Sequence, residues 1–227
     1  MSHAGITVLP CIVVPLAEPE NVWTIVVAGG SGARFGRPKQ YELIGDIRMI
    51  DRSVATAALA GTRVVVVVPE ADVPAESLSG RTAVAGGATR SESVRCGLAA
   101  VPADATIVCV HDAARPFATV ELYQSVIGAV AAGADAVVPG VPVTDTIKIV
   151  DGQGVVASTP RRESLVAVQT PQAFRAAVLR EAHRARVEGT DDAALVEAIG
   201  CRVRVVAGQP DNRKITHPAD LEWARAR

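Results

Sequence analysis

Three features of the chain predict an α/β fold built on a doubly wound, mostly parallel sheet. Short β-branched segments alternate with helical ones, a glycine-rich loop follows the first strand directly, and a later strand is an unbroken run of five valines. A continuous β-branched run suits a strand buried on both faces, as it is when helices cover both sides of a parallel sheet. With 227 residues the chain can build one large domain around a substantial core.

The elements follow in order. Residues 1–22 form a leader that the pattern does not place, and Pro10 and Pro15 favour something irregular there. Residues 23–227 read as a single domain. Trp23-Thr24-Ile25-Val26-Val27 is the first buried strand. An alanine-rich helix over 49–60 is closed by Gly61, and a strand over 63–68 is ended by Pro69. A short strand over 82–85 leads into Gly86-Gly87, after which Ser91 and its neighbours can start a helix reaching about 100. A strand over 106–110 delivers His111-Asp112-Ala113-Ala114-Arg115-Pro116 at its C-terminal end. A helix over 120–132, stopped by Gly133, and a strand over 135–141 complete the regular series.

Between about 142 and 168 the rhythm changes. Residues 146–150 and 155–157 flank Asp151-Gly152-Gln153-Gly154 and read as a protruding β-hairpin arm. A hairpin alone is marginally stable, so this arm is a candidate dimer contact. Helices over 174–188 and 191–199, a strand over 201–206 and a last helix from about 218, with Thr216 or His217 near its cap, finish the chain.

The glycine loop, Ala28-Gly29-Gly30-Ser31-Gly32-Ala33-Arg34-Phe35-Gly36-Arg37-Pro38-Lys39, carries the chemistry. Glycines let a ligand approach the main chain, and successive N–H groups can form a nest for phosphate oxygens. Gly29, Gly30, Ser31 and Gly32 supply that backbone, while Arg34 and Lys39 add full charges, so the expected ligand is a polyphosphate. Two familiar phosphate loops do not fit: Phe35 stands where a dinucleotide fingerprint needs its third glycine, and Arg37-Pro38 follow Gly36 where a P-loop needs Lys-Ser/Thr. A plain β-to-α turn also accounts for the composition. In doubly wound sheets ligands bind beyond the C-terminal ends of the strands, so this loop, Gly86-Gly87 and Asp112 should converge.

Composition bounds the rest. The net charge of −1 argues against a nucleic-acid-binding footprint, so anion binding must rest on local cation clusters. Cys11, Cys96, Cys109 and Cys201 lie far apart with no CxxC pair, which favours a reduced, cytoplasmic protein. No apolar stretch is long enough to cross a membrane. Asp112 reads either as a magnesium ligand or as a cap or ion pair with Arg115. Asp145 suits bland turn chemistry as well as function, Arg161-Arg162-Glu163 suits a solvated face, and Thr190-Asp191-Asp192 most simply starts a helix. Lys214, in Asn212-Arg213-Lys214-Ile215-Thr216, stands after a strand, a more suggestive place than a random surface. His111 and His183 have no assignable partner, and no covalent nucleophile is signalled.

Taken together, the glycine loop with Pro38-Lys39-Gln40-Tyr41, Gly86-Gly87 through Arg90 to Ser93-Val94, His111 to Pro116, Pro142-Val143-Thr144-Asp145-Thr146-Ile147-Lys148, Gln169-Thr170-Pro171-Gln172-Ala173-Phe174, Thr190-Asp191-Asp192 and residues 212–216 resemble the 2-C-methyl-D-erythritol 4-phosphate cytidylyltransferase family. The resemblance covers roughly residue 25 to the C-terminus. It implies a Rossmann-like nucleotidyltransferase that acts as a homodimer, with the arm reaching into its partner, and that joins CTP to a small polyol phosphate with Mg2+. It also implies transition-state stabilisation by Arg34 and Lys39, and cytosine recognition by Ala28, Gly29, Gly87 and Ser93. Asp112 falls near the metal and the substrate, with Arg115 in the same segment. Lys214 and Arg162 position the polyol phosphate, with Thr146 and Thr170 on or near the arm. A sister cytidylyltransferase acting on ribitol 5-phosphate and a non-catalytic nucleotide-binding paralogue are the alternative readings; Lys148 and the Gln-Thr-Pro-Gln segment favour methylerythritol phosphate. Ala88 departs from the family, which often has an acidic residue after the paired glycines, and Gly29 stands where many members have alanine.

Overall fold

The computed structural model describes residues 21–30, 35–36 and 38–227. The expectations for residues 1–20 and for Ser31, Gly32 and Arg34 lie outside the described residues. In chain order the elements are β1 (Val22–Val27), β2 (Leu43–Ile44), β3 (Ile47–Arg48), α1 (Met49–Leu59), β4 (Arg63–Val68), α2 (Val73–Leu78), β5 (Thr82–Ala85), α3 (Arg90–Ala100), β6 (Ile107–Asp112), α4 (Val120–Ala131) and β7 (Ala136–Pro142). They continue as β8 (Ile149–Val150), β9 (Val156–Ser158), β10 (Val166–Val168), β11 (Gln172–Arg175), α5 (Ala176–Arg184), α6 (Asp192–Ala198), β12 (Val203–Ala207) and α7 (Pro218–Arg225).

The main sheet has eight strands, in the spatial order β12, β7, β11, β6, β1, β4, β5, with β10 pairing the far end of β7. β1 runs parallel to both β4 and β6, which places the reversal of winding at β1. β11 is antiparallel to β6 and β7, and β12 returns parallel to β7. The expected mostly parallel sheet is present.

Both faces are covered, and alternate side chains serve alternate faces. Ile25, Val65, Val67, Val108 and Val110 pack with Leu98 of α3, Leu179 of α5 and Val196 of α6. Val22, Ile107 and Cys109 turn the other way, toward Ala57 of α1 and Leu122, Tyr123 and Val126 of α4. Val26, Val66 and Val68 continue that second face against Ile50 of α1. The five valines are therefore a strand buried on both sides, as the run implied. Gly61 and Gly133 end α1 and α4 with φ of +83° and +108°, conformations in which a side chain would be strained.

Two expectations are corrected. Residues 172–175 form β11, and the helix expected over 174–188 is α5, Ala176–Arg184. Phe174 is fully buried because its strand lies between β6 and β7, where the cross-strand ladder on both sides outweighs the helix propensity of the residues that follow. The cap of α3 is Thr89 rather than Ser91: its hydroxyl accepts from the N–H of Glu92 at 3.1 Å, completing a capping box. The small β2–β3 hairpin, α2 and β10 were not expected.

The arm is the shortened hairpin β8–β9, with Asp151 Oδ1 accepting from the N–H groups of Gln153 and Val155, each at 2.9 Å. Its Ile149, Val150, Val155 and Val156 are exposed.

Packing of α3 depends on Gly97. A Cβ there would lie 2.5 Å from Ile25 Cγ2 and 2.9 Å from Val67 Cγ2. Gly97→Val should lower the unfolding free energy by about 1–3 kcal/mol, read by urea denaturation, because two sheet side chains must yield to an overpacked contact.

Candidate active site

The loops after β1, β5 and β6 leave the same edge of the sheet and are tied together. The N–H of Ala28 donates to Val67 O at 2.7 Å, that of Gly86 to Val68 O at 2.8 Å, and that of Ala113 to Val27 O at 3.0 Å. They enclose a cleft of about 500 Å³ lined by Ala28, Gly29, Gly30, Lys39, Gly87, Ser93, Asp112 and Lys214 together with Arg90. The structure thus gathers eight sequence-predicted residues in one place.

On one wall, the Gly86-Gly87 turn closes against the start of α3. A Cβ on Gly87 would overlap Glu92, whose carboxylate accepts from the N–H of Ala88 at 2.8 Å. Glycine at 87 is therefore a packing requirement. Ser93 is nearly buried and donates to Thr89 O at 2.9 Å. A Cβ on Gly29 would lie 3.5 Å from Ser93 Oγ, an ordinary contact, so the wall has room for either glycine or alanine there.

The opposite wall is charged. Asp112, at the end of β6, accepts from Lys214 Nζ at 2.6 Å on Oδ2 and from Arg90 Nε at 3.1 Å on Oδ1. Burial raises the carboxyl pKa, but Arg90, Lys214 and Arg115 outweigh it and hold Asp112 well below the usual carboxylate range. Lys214 is fixed by its neighbours: Ile215 is fully buried and donates its N–H to Ala114 O at 2.8 Å, and Asn212, also fully buried, donates to Thr170 O at 2.8 Å. Lys39 follows Pro38 in a single 3-10 turn and donates to Ile215 O at 2.7 Å, so both lysines are organised by one segment.

A smaller cavity of about 200 Å³ adjoins the cleft and shares Arg90, Asp112 and Lys214 with it. Its other walls include Arg115, Thr170, Gln172 and Thr190. Arg115 does not spend its donors on Asp112, as a simple ion pair would; it donates to Asn212 O at 2.8 Å and Val168 O at 3.3 Å. The Thr170 hydroxyl accepts from the N–H of Asp112 at 3.1 Å and faces His111 Nδ1 at 3.1 Å. Burial pushes the His111 pKa down to about 4, so its ring is neutral near pH 7 and its Nδ1 can accept from Thr170.

Sequence reasoning missed Arg90, Gln172 and Thr190 as lining residues. One signal was available: Arg90 opens a helix, where a cation opposes the helix dipole unless carboxylates hold it. Asp191 does cap α6, accepting from the N–H of Ala194 at 2.9 Å, so the helix-start reading of 190–192 held for that residue. Thr146 and Arg162 are exposed on the arm and line neither cavity. Arg162 donates to Thr144 O at 2.9 Å, which braces the base of the arm.

The charge on Asp112 makes a testable link to stability. Its folded pKa lies below the unfolded value near 4, so the stabilisation is complete above about pH 4 and is lost as the pH falls through the folded value. Lys214→Met removes a direct cation partner and narrows the gap. The drop in urea-unfolding free energy from about pH 5 to about pH 3 should be smaller in this variant than in the parent.

Comparison with known proteins agrees with this geometry. The family model for IspD, 2-C-methyl-D-erythritol 4-phosphate cytidylyltransferase, matches residues 22–227. The chain is 48% identical over 214 residues to the enzyme of that name from Rhodococcus jostii, covering 90% of this chain and 94% of that protein. It is 42% identical over 230 residues to the one from Streptomyces coelicolor, covering 92% and 85%. Among solved structures, the Thermus thermophilus enzyme superposes with a TM-score of 0.75 at 37% identity, over 89% of this chain and 96% of that one. The 4-diphosphocytidyl-2C-methyl-D-erythritol synthase of Anaerococcus prevotii superposes with a TM-score of 0.81 at 28% identity, over 92% and 98%. With the family model matched over residues 22–227 and a relative 48% identical along 90% of its length, the chain belongs to the IspD family of 2-C-methyl-D-erythritol 4-phosphate cytidylyltransferases.

Proposed function

We propose that the larger cleft takes CTP and the smaller cavity takes the polyol phosphate. The observation that carries this reading is the wall the two cavities share, made of Arg90, Asp112 and Lys214. The enzyme transfers the cytidylyl group of CTP to 2-C-methyl-D-erythritol 4-phosphate, releasing pyrophosphate and forming 4-diphosphocytidyl-2-C-methyl-D-erythritol for isoprenoid synthesis. An acceptor phosphate oxygen attacks the α-phosphorus, so no protein nucleophile is needed. What the protein must supply is alignment and charge.

We assign the described residues their roles from where they stand, and Ser31, Gly32 and Arg34 theirs from the family resemblance alone. Ala28, Gly29, Gly30, Gly87 and Ser93 hold the nucleotide, with Ser31 and Gly32 in the same loop. Lys39 and Arg34 neutralise charge that grows on the phosphates in the transition state. Lys214 and Arg115 hold the acceptor phosphate, and Thr170 meets its polyol chain. Mg2+ fits this site: Asp112 is a hard oxygen donor kept ionised, and magnesium is often held by one or two carboxylates plus substrate phosphates. When bound, the metal would screen the triphosphate, with Asp112 as its protein ligand.

Thr146 and Arg162 complete the site from a second subunit, the arm of one chain reaching the acceptor cavity of the other. The exposed apolar side chains of the arm support a homodimer built this way. No described helix is long and apolar enough to cross a membrane, and the widely spaced cysteines fit a cytoplasmic enzyme.

Pyrophosphate release from CTP and Mg2+ with methylerythritol 4-phosphate, and not with ribitol 5-phosphate, is the expected result for the acceptor. Release only with ribitol 5-phosphate would move the enzyme to a different pathway. Lys39→Ala should lower kcat by about 10²-fold or more while changing the Kd for CTP far less; comparable losses in affinity with kcat intact would contradict its role. Arg162→Ala and Lys214→Ala chains, each inactive alone, should regain about one quarter of wild-type activity when mixed and reassembled, because half of the mixed dimer's sites are intact. No recovery on mixing would place Arg162 and Lys214 in the same subunit's site.

A further inference from the structure

A buried line of contacts reaches the shared wall along the face of the sheet that α3, α5 and α6 cover. His183 of α5 is 4% exposed, and its Nε2 lies 3.0 Å from Asp192 Oδ1. A carboxylate only accepts, so Nε2 carries the hydrogen. Asp192, 1% exposed at the start of α6, accepts from Arg90 Nη1 at 2.8 Å on its other oxygen. Arg90 in turn donates through Nε to Asp112 at 3.1 Å. Neither His183 nor Asp192 lines the cleft or the smaller cavity.

We propose that Asp192 is a positioning residue for the transfer, holding Arg90 as a bridge between two carboxylates and so fixing Asp112. This rests on the reading that Asp112 faces the reacting phosphates. A guanidinium facing one carboxylate prefers a two-bond fork. Arg90 makes no such fork here, because it reaches Asp112 and Asp192 with different nitrogens. With Asp192 neutral, nothing of opposite charge holds Nη1 away, and Arg90 is free to fork onto Asp112. Oδ2 already accepts from Lys214, so a fork would fill the acceptor positions that a metal or substrate hydroxyl needs. His183 keeps Asp192 in place, and the bridge keeps Asp112 available.

The test is a double-mutant cycle in steady-state kinetics with CTP and methylerythritol 4-phosphate. Asp192→Asn, which keeps the shape and removes the charge, should lower kcat about tenfold with the KM for CTP within about twofold. Arg90→Lys, which keeps a charge but cannot bridge, should do the same. The double variant should be no worse than the poorer single one, since both changes break the same link. Losses that multiply in the double variant, or an Asp192→Asn kcat within about twofold of wild type, overturn the proposal. Should Asp192→Asn fail to fold, judged by its thermal melt, Arg90→Lys decides alone, and an unchanged kcat there also overturns it. Asp112→Asn in the same series separates the two levels: wild-type turnover there sinks the site reading itself, whereas lost turnover there with full turnover in Asp192→Asn sinks only the positioning role.

Discussion

The organising constraint is one ionised carboxylate held at the end of a central strand. Asp112 is almost wholly buried, and burial alone would drive it neutral. It stays charged because Arg90 and Lys214 bond to it and Arg115 lies close enough to act through space. The dependence is mutual. Burial and the charge of Arg90 both press the Arg115 pKa down, and Asp112 pulls against them. Without that carboxylate, Arg90, Lys214 and Arg115 would be left to repel one another.

The sheet explains how distant residues reach this point. Because β11 runs antiparallel to β6, its first residue, Gln172, pairs with Val110 near the end of β6. A further parallel strand would have delivered its start to the opposite edge. The reversal of β11 therefore brings Thr170 and Gln172 to the mouth of the crevice, where a doubly wound sheet otherwise presents only the loops after its strands. Gly208 and Gly140 allow the segment after β12 to pass close by: a Cβ on Gly208 would lie 2.9 Å from both Gln169 Oε1 and the Gly140 carbonyl carbon.

How much of this could be read from the chain depended on the range of the interactions. The glycine loop, the five valines and the apolar strand before Asp112 are local patterns, and each predicted its element. The reversed strand was hidden because Phe174-Arg175-Ala176-Ala177-Val178-Leu179 suits a helix by propensity, while the ladder partners that make part of it a strand lie far away in sequence. Arg90 and Asp192 are 102 positions apart, as are Asp112 and Lys214, so no spacing rule could pair them. His183 seemed unpartnered although Asp192 is close in sequence, because the turn between α5 and α6 that joins them follows no helical or strand spacing. The arm was legible as a hairpin from its turn residues, but its distance from the cavities is a property of the tertiary fold.

That span of 102 residues bears on the order in which the molecule acquires its properties. β1, β4, β5 and β6 all precede residue 113 and can pair as a parallel unit as the chain emerges. Lys214, Thr170 and the carbonyl that holds Lys39 belong to the last third of the polypeptide. Contacts of such high sequence separation close late because they carry the largest loop-closure entropy. The wall around Gly87 and Ser93 can therefore take shape before the later segments exist, whereas the charge constellation around Asp112 closes only after residue 214 has been added. The pairing of Asp112 with Lys214 is a late event in this fold, and a chain that stops short of residue 214 lacks it.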